Sequence, residues 1–211
     1  MTTYARDERA ALASTLLDVG PAAPTLDEGW AARDLAAHVV LREGRPDLAA
    51  GVFVAALAGR TERAQAELAH GDWDELVARV RCGPPRWSPL GWGPVHEQVN
   101  LLELFVHHED VRRGGAGWSP RELPAGMEQA LWVQLRRAAP VLTRSTPTAL
   151  VLSRTPGHDE VRLHARRGRT TTVRGLVPEL VLWVFGRVAA ARVEVSGDAD
   201  TVGAAEDALG V

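Results

Sequence analysis

The sequence predicts an α+β protein: a helical bundle over residues 1–145, then a small sheet-and-helix domain over residues 146–211. Two observations carry this expectation. Up to about residue 145 the apolar residues recur at helical spacing, with Gly and Pro marking the gaps. From about Thr148 the period falls to two, and one short, almost wholly apolar helix interrupts the strands. A chain of 211 residues can bury one large core or two small ones.

In the first part, Thr2 or Thr3 caps a helix whose Leu12, Leu16 and Val19 share a face, and Gly20-Pro21 stops it. A second helix spans 30–43 and is closed by Gly44 and Pro46. Trp30 stands ahead of it as a staple for its N-terminus. Pro46 opens a third helix carrying Leu48, Val52 and Phe53, and a short helical segment follows over 73–80. The stretch CGPPRWSPLGWGP, residues 82–94, is too rich in Gly and Pro to be anything but loop, with Trp87 and Trp92 expected to anchor it, or else to line a cleft. A long helix occupies 95–113 and ends at Gly114-Gly115. After a connector, another runs over 125–142, with Pro140 marking or kinking its end.

In the second part, TALVLSR, EVRLHARR and TTTVRGL read as strands, with Val161 and Leu163 alternating against Arg162 and His164. PELVLWVFGRVAA reads as a buried helix opened by Pro178, ARVEVSG as a strand, and TVGAAEDALG as a closing helix.

Composition narrows the function classes. The net charge is −3, so no global field recruits nucleic acid or an anionic membrane. All 24 basic residues are Arg, which removes lysine chemistry: a Walker A loop or a Schiff base. The single cysteine, Cys82, excludes an internal disulfide and a cysteine-based zinc cluster. It stands in the Pro-rich loop without a nearby His or Asp, and is expected to be structural or incidental rather than a nucleophile. The N-terminus carries charges where a signal peptide is apolar, and no apolar run approaches the ~20 residues of a membrane span. A cytoplasmic protein is expected.

Seven histidines make imidazole and carboxylate the place to look for chemistry. At 100° per residue, His96, Asn100, Glu103, His107 and Asp110 fall in an arc of about 80°. Val99 and Val106 flank it on one side, Leu104 and Val111 on the other. A polar seam between apolar walls suits a bundle interior better than a solvated face. Glu97, Gln98, His108, Glu109 and Arg112 fall on the opposite, surface-like half. The 30–43 helix repeats the arrangement, with Asp34, His38 and Arg42 on one side. His38, Glu103 and His107 can therefore converge on one divalent ion, leaving positions open for substrate. Zn²⁺ is the first expectation, with Ni²⁺ and Fe²⁺ open. Asp34 and Asp110, each about one turn from a histidine, are placed to accept the second ring N–H. His70, His158 and His164 are expected to be solvated.

The segments TLDEGWAARDLAAHVVLREGRPD, LLELFVHHEDVRR and VPELVLWVFGR resemble, in the same order, the mycothiol-dependent maleylpyruvate isomerase-like family, and within it a shorter actinobacterial branch of metal-binding proteins. The resemblance implies a DinB-like four-helix bundle holding a divalent metal, followed by a sterol-carrier-like α+β domain. The Trp…Asp-Leu-x-x-His motif falls on Trp30, Asp34, Leu35 and His38. The Glu-x-x-x-His-x-x-Asp motif falls on Glu103, His107 and Asp110. It implies mycothiol as co-substrate, its thiolate held on the metal for S-transfer to, or isomerisation of, a small electrophile. Arg187, following the buried PELVLWVFG segment, is the candidate catalytic arginine, its guanidinium offered to a substrate carboxylate. Two readings of other classes stand beside this one. One is a non-catalytic metal-binding protein with a closed coordination sphere, for instance through His96. The other is a thiol-free metal-dependent hydrolase using Asp34 or Asp110 as base.

Overall fold

The computed structural model describes residues 4–45, 55–88 and 93–209, with the side chains at 55–58, 93–96 and 98 outside that description. The expected helix carrying Leu48, Val52 and Phe53 lies outside the described residues, as do Thr2, Thr3 and Trp92. The architecture is α+β, with helices first and a four-stranded mixed sheet at the C-terminal end. The chain divides into two units, Met1–Pro120 and Arg121–Val211. Change of period marks the helix-to-strand switch near residue 145, whereas packing groups the last long helix with the sheet.

The first unit contains α1 (Tyr4–Val19), α2 (Ala32–Gly44), α3 (Ala55–Ala69), α4 (Trp73–Cys82) and α5 (Gly93–Arg113). α1 packs on α5 and α4, and α2 on α3 and α4. Leu12 and Leu16 of α1, Leu35 of α2, Val80 of α4 and Leu101, Leu104 and Phe105 of α5 are buried and form the core. Burying each such side chain contributes on the order of 1.5–3 kcal/mol. α1 ends where Gly20 takes φ +79, its N–H returning to Leu16 O. α4 is capped by Asp72, whose side chain accepts the Glu75 N–H.

α5 departs from the expected two-faced helix. His108 and Glu109 are as buried as Leu101 and Phe105. Specific partners make this burial tolerable: His108 Nδ1 bonds Glu8 Oε1 at 2.7 Å and its Nε2 bonds Thr15 Oγ1 at 2.9 Å. Glu109 accepts from Arg112 and Arg113. The buried Arg9–Glu43 pair ties α1 to α2 in the same way, with Arg9 also donating to Val80 O. Helical periodicity cannot distinguish such paired interior charges from a solvated face.

The second unit contains α6 (Ala125–Leu142), β1 (Ala149–Thr155), β2 (Glu160–Leu163), β3 (Thr170–Leu176), α7 (Val177–Val184), β4 (Glu194–Ser196) and α8 (Ala199–Asp207). Strand order is β2-β1-β3-β4, with β1 and β3 parallel and both outer pairings antiparallel. Leu150 pairs with Leu163 and Val173 with Val195. α7 packs on α6, β1 and β3 with all eight of its residues buried, as its apolar run requires. It stops earlier than the expected PELVLWVFGRVAA helix. Gly186 has φ +84, a Cβ there would fall on Leu209 O, and the Arg187 N–H turns back to Leu182 O. His164 is not solvated either: half-buried at φ 53, it bonds Thr143.

Candidate metal centre

The segment between α1 and α2 is fastened across the C-terminal part of α5. Leu26 N–H donates to Asp110 O, and Arg33 N–H donates to Pro21 O. A Cβ on Gly114 would fall on Pro24 O, so glycine alone allows so close a passage. Within the segment Thr25 Oγ1 donates to Trp30 O and accepts the Asp27 N–H. This local turn presents Asp27 beside α5. The N-cap ahead of α2 is Ala31, which has no side-chain acceptor. The Asp34 carboxylate reaches back and accepts the Ala31 N–H at 2.9 Å, the other half of a capping box.

His107 is the centre of the cluster. It is 7% exposed, and its Nδ1 lies 3.1 Å from Oδ2 of Asp110, which is fully buried. On the other side of the ring, Nε2 is 3.7 Å from Glu103 Oε2 and has no hydrogen-bond partner among the described residues. The His38 ring stands edge-on to the His107 ring, centroids 5.1 Å apart, and Trp30 covers His38 at the same separation. Of the residues singled out in the sequence, the fold brings His38, Glu103, His107 and Asp110 together. The Asp34 carboxylate caps its own helix. The side chain of His96 lies outside the described residues.

This arrangement can be tested for fit to a divalent ion from its hydrogen bonding alone. In the tautomer in which Nδ1 donates to Asp110, Nε2 is a lone pair facing a carboxylate oxygen. A buried acceptor without a donor costs about 1–3 kcal/mol, and a second acceptor opposite makes it worse. A cation between them removes both penalties. Two atoms sharing one ion at about 2.1 Å each lie no more than roughly 4.2 Å apart, and the 3.7 Å separation falls inside that bound. The residues fit.

Asp27 is the member that sequence reasoning missed. Its Oδ2 is 4.0 Å from His107 Nδ1, and Asp27, His107 and Asp110 offer ligand atoms all within 4.8 Å of one another. It stands in a loop, where no periodicity points at it. Two ion positions are thus conceivable on opposite nitrogens of one ring. The Nδ1 side would require breaking the Asp110 bond; the Nε2 side requires breaking nothing.

Arg187 belongs to the second unit, half-buried, with its Nη1 donating to Phe185 O at 2.7 Å. Two clefts among the described residues lie away from His107. One, of about 570 Å³, opens between α2, α3 and α4 and is lined by Leu41, Leu68, Cys82 and Trp87; the other lies over β3 and β4. Cys82 is exposed and free. Trp87, 60% exposed, does not anchor its loop.

Fold and cluster together define a class: an α+β protein whose helical unit gathers imidazoles and carboxylates, followed by a small mixed sheet. Among solved structures the chain is similar to the mycothiol-dependent maleylpyruvate isomerase and to a histidine-to-alanine mutant of that enzyme. Both comparisons give a TM-score of 0.58 and cover 92% of this chain and 90% of the other, at 19% and 18% identity. At that identity the likeness establishes a shared fold. No protein-family model and no curated protein matches the sequence. No described helix is long and apolar enough to cross a membrane.

Proposed function

We propose that the protein is a metal-dependent enzyme that uses a low-molecular-weight thiol, of the mycothiol kind, to transfer sulfur to a small electrophile or to isomerise it. The observation that carries this reading is the bare, buried Nε2 of His107 facing Glu103 beside His38. The fold shared with a mycothiol-dependent isomerase supports it. His38, Glu103 and His107 would hold the ion, with Zn²⁺ favoured and Ni²⁺ or Fe²⁺ as alternatives. When bound, a divalent ion supplies the Lewis acidity that keeps a coordinated thiol deprotonated at neutral pH.

The chain's own residues do the rest. Asp110 accepts the Nδ1 proton of His107, fixing the tautomer and aiming Nε2. Glu103 contributes negative charge, and Trp30 covers His38 against water. In transfer, the thiolate sulfur forms a bond to the electrophilic carbon and displaces a leaving group, or adds across a double bond whose other carbon takes a proton from solvent. In isomerisation the new C–S bond breaks again after rotation, and the thiolate is regenerated. Arg187 is proposed as a substrate-binding arginine. Arg187→Ala is then expected to keep metal and fold while losing about 10²-fold in rate, the scale of a positioned electrostatic contact.

The test is a titration of the cobalt-substituted protein with mycothiol. A sulfur-to-cobalt charge-transfer band is expected, and it should be absent in His107→Ala. If millimolar mycothiol produces no band, the thiol reading fails. The thiol-free hydrolase would then lead, with Asp27 as a carboxylate already beside the cluster.

A further inference from the structure

A guanidinium stands at the edge of the cluster and takes no part in the chemistry above. Arg42 lies one turn beyond His38 on α2. Its Nη1 donates to Asn100 Oδ1 at 3.0 Å, and its Nε lies 3.6 Å from Glu103 Oε2. That oxygen is the one 3.7 Å from His107 Nε2. Asn100 is wholly buried on α5, so the contact that holds Arg42 is built into the core rather than offered by a mobile surface group.

The pattern is that of a preorganised anion receptor. Arg42 keeps 19% of its side chain exposed. Among the described residues its contacts use Nε and Nη1, and none uses Nη2. A guanidinium whose task was only to balance Glu103 would need no buried Asn100 anchor. Ordering an arginine costs side-chain entropy before it binds anything; here folding has already met that cost. With Nε and Nη1 engaged, the two N–H groups of Nη2 are the donors left for a carboxylate oxygen.

We propose that Arg42 is a specificity-determining residue that receives a carboxylate carried either by the thiol or by its electrophilic acceptor. The proposal rests on the thiol reading above and narrows its substrates to acidic ones. Because Arg42 is joined to the ion-facing oxygen of Glu103, the carboxylate would be held within one side chain's reach of the reacting sulfur.

The experiment compares 3-mercaptopropionate with 3-mercaptopropionamide on the cobalt-substituted protein, each followed by the charge-transfer band. The acid is expected to bind about 10- to 100-fold more tightly, the range of one charge-assisted contact. Arg42→Gln should erase the preference with cobalt content unchanged, and Arg42→Lys should restore part of it. If acid and amide bind alike, the amide-saturated protein is titrated with maleate and with maleamide. A preference for maleate that Arg42→Gln removes supports the proposal and assigns the carboxylate to the acceptor. Equal affinities in both comparisons, or a preference that survives Arg42→Gln, overturn it. Should neither thiol give a band, the thiol reading fails separately. Calorimetry of succinate against succinamide on the metal-free protein then decides the receptor: Arg42-dependent succinate binding supports it, and its absence overturns it.

Discussion

His107 Nδ1 and Asp110 Oδ2, one turn apart on α5, lie 3.1 Å from each other inside the protein. This one bond divides the histidine ring into two unequal faces. On one side Nδ1 is engaged by a buried carboxylate; on the other Nε2 has no hydrogen-bond partner among the described residues. The polarity of the ring is therefore set by the helix itself, before any ligand arrives.

The first prediction follows from that asymmetry. His38→Ala, Glu103→Gln and His107→Ala are expected to abolish stoichiometric metal. Asp110→Asn should weaken binding about 10- to 100-fold, and Asp27→Asn should leave the stoichiometry intact. Elemental analysis after dialysis against each divalent ion reads all five. If Asp27→Asn loses metal as completely as Glu103→Gln, the ion sits on the Nδ1 side with Asp27 and Asp110.

His108 supplies the second. It neighbours His107 but faces α1, where Glu8 and Thr15 take its two nitrogens. His108→Ala is expected to retain full metal while losing about 1–3 kcal/mol of stability, since it removes a partner from a buried carboxylate. Urea denaturation and metal content on the same sample check both halves. Loss of metal in the folded variant would refute the assignment of His108 to scaffold.

How much of this was legible in the sequence depends on which physical signal each residue leaves. The period-two switch near Thr148 and the Gly and Pro stops located most helices and strands. The seam of Asn100, Glu103, His107 and Asp110 was visible because one straight helix carries all four. His108 and Glu109 were misplaced on the surface, because a pattern of residue types does not reveal that α1 and the end of α5 provide counter-charges. Asp27 left no signal at all. Its position depends on Leu26 pairing with Asp110 and on the close passage at Gly114, both contacts between residues remote in sequence. Asp34 stands where the spacing put it, but its carboxylate meets the local need of a helix whose first turn has only Ala31 as cap.

A third prediction concerns pH. Thr143 Oγ1 donates to Ala139 O, so His164 Nε2 carries the proton and donates to Thr143. Burial and, after it, the nearby Arg167 charge lower the His164 pKa from its usual 6.5, outweighing the opposing hydrogen bond to the Thr143 backbone. As pH falls through 6.5, the unfolded chain therefore takes up this proton more readily than the folded one. The stabilisation is present above that pH and is lost below it, until the folded form also protonates. Urea midpoints from pH 7.5 down to 5 should decline, and His164→Asn, which tolerates φ 53, should flatten the decline. An unchanged slope in the variant would assign the pH dependence to other groups.

The last prediction joins the fold to the site through a glycine. Gly114 follows α5, and the loop after α1 crosses it so closely that a Cβ would fall on Pro24 O and lie 2.5 Å from Pro24 C and Thr25 Cα. All three atoms are backbone, so no rotamer change can make room. In Gly114→Ala the loop must lift, and with it goes the Leu26 N–H bond to Asp110 O. Asp110 is the residue whose carboxylate aims His107, and Asp27 travels on the same loop. The variant is expected to lose about 1–3 kcal/mol of stability, the usual range for forced overpacking, together with several-fold in metal affinity. Gly115→Ala is the control, because a Cβ there meets nothing within 4 Å. It should match the parent in urea midpoint and metal affinity. A Gly114→Ala protein that is destabilised yet binds metal as the parent does would show that the ion is held by α2 and α5 alone, with the loop as cover only.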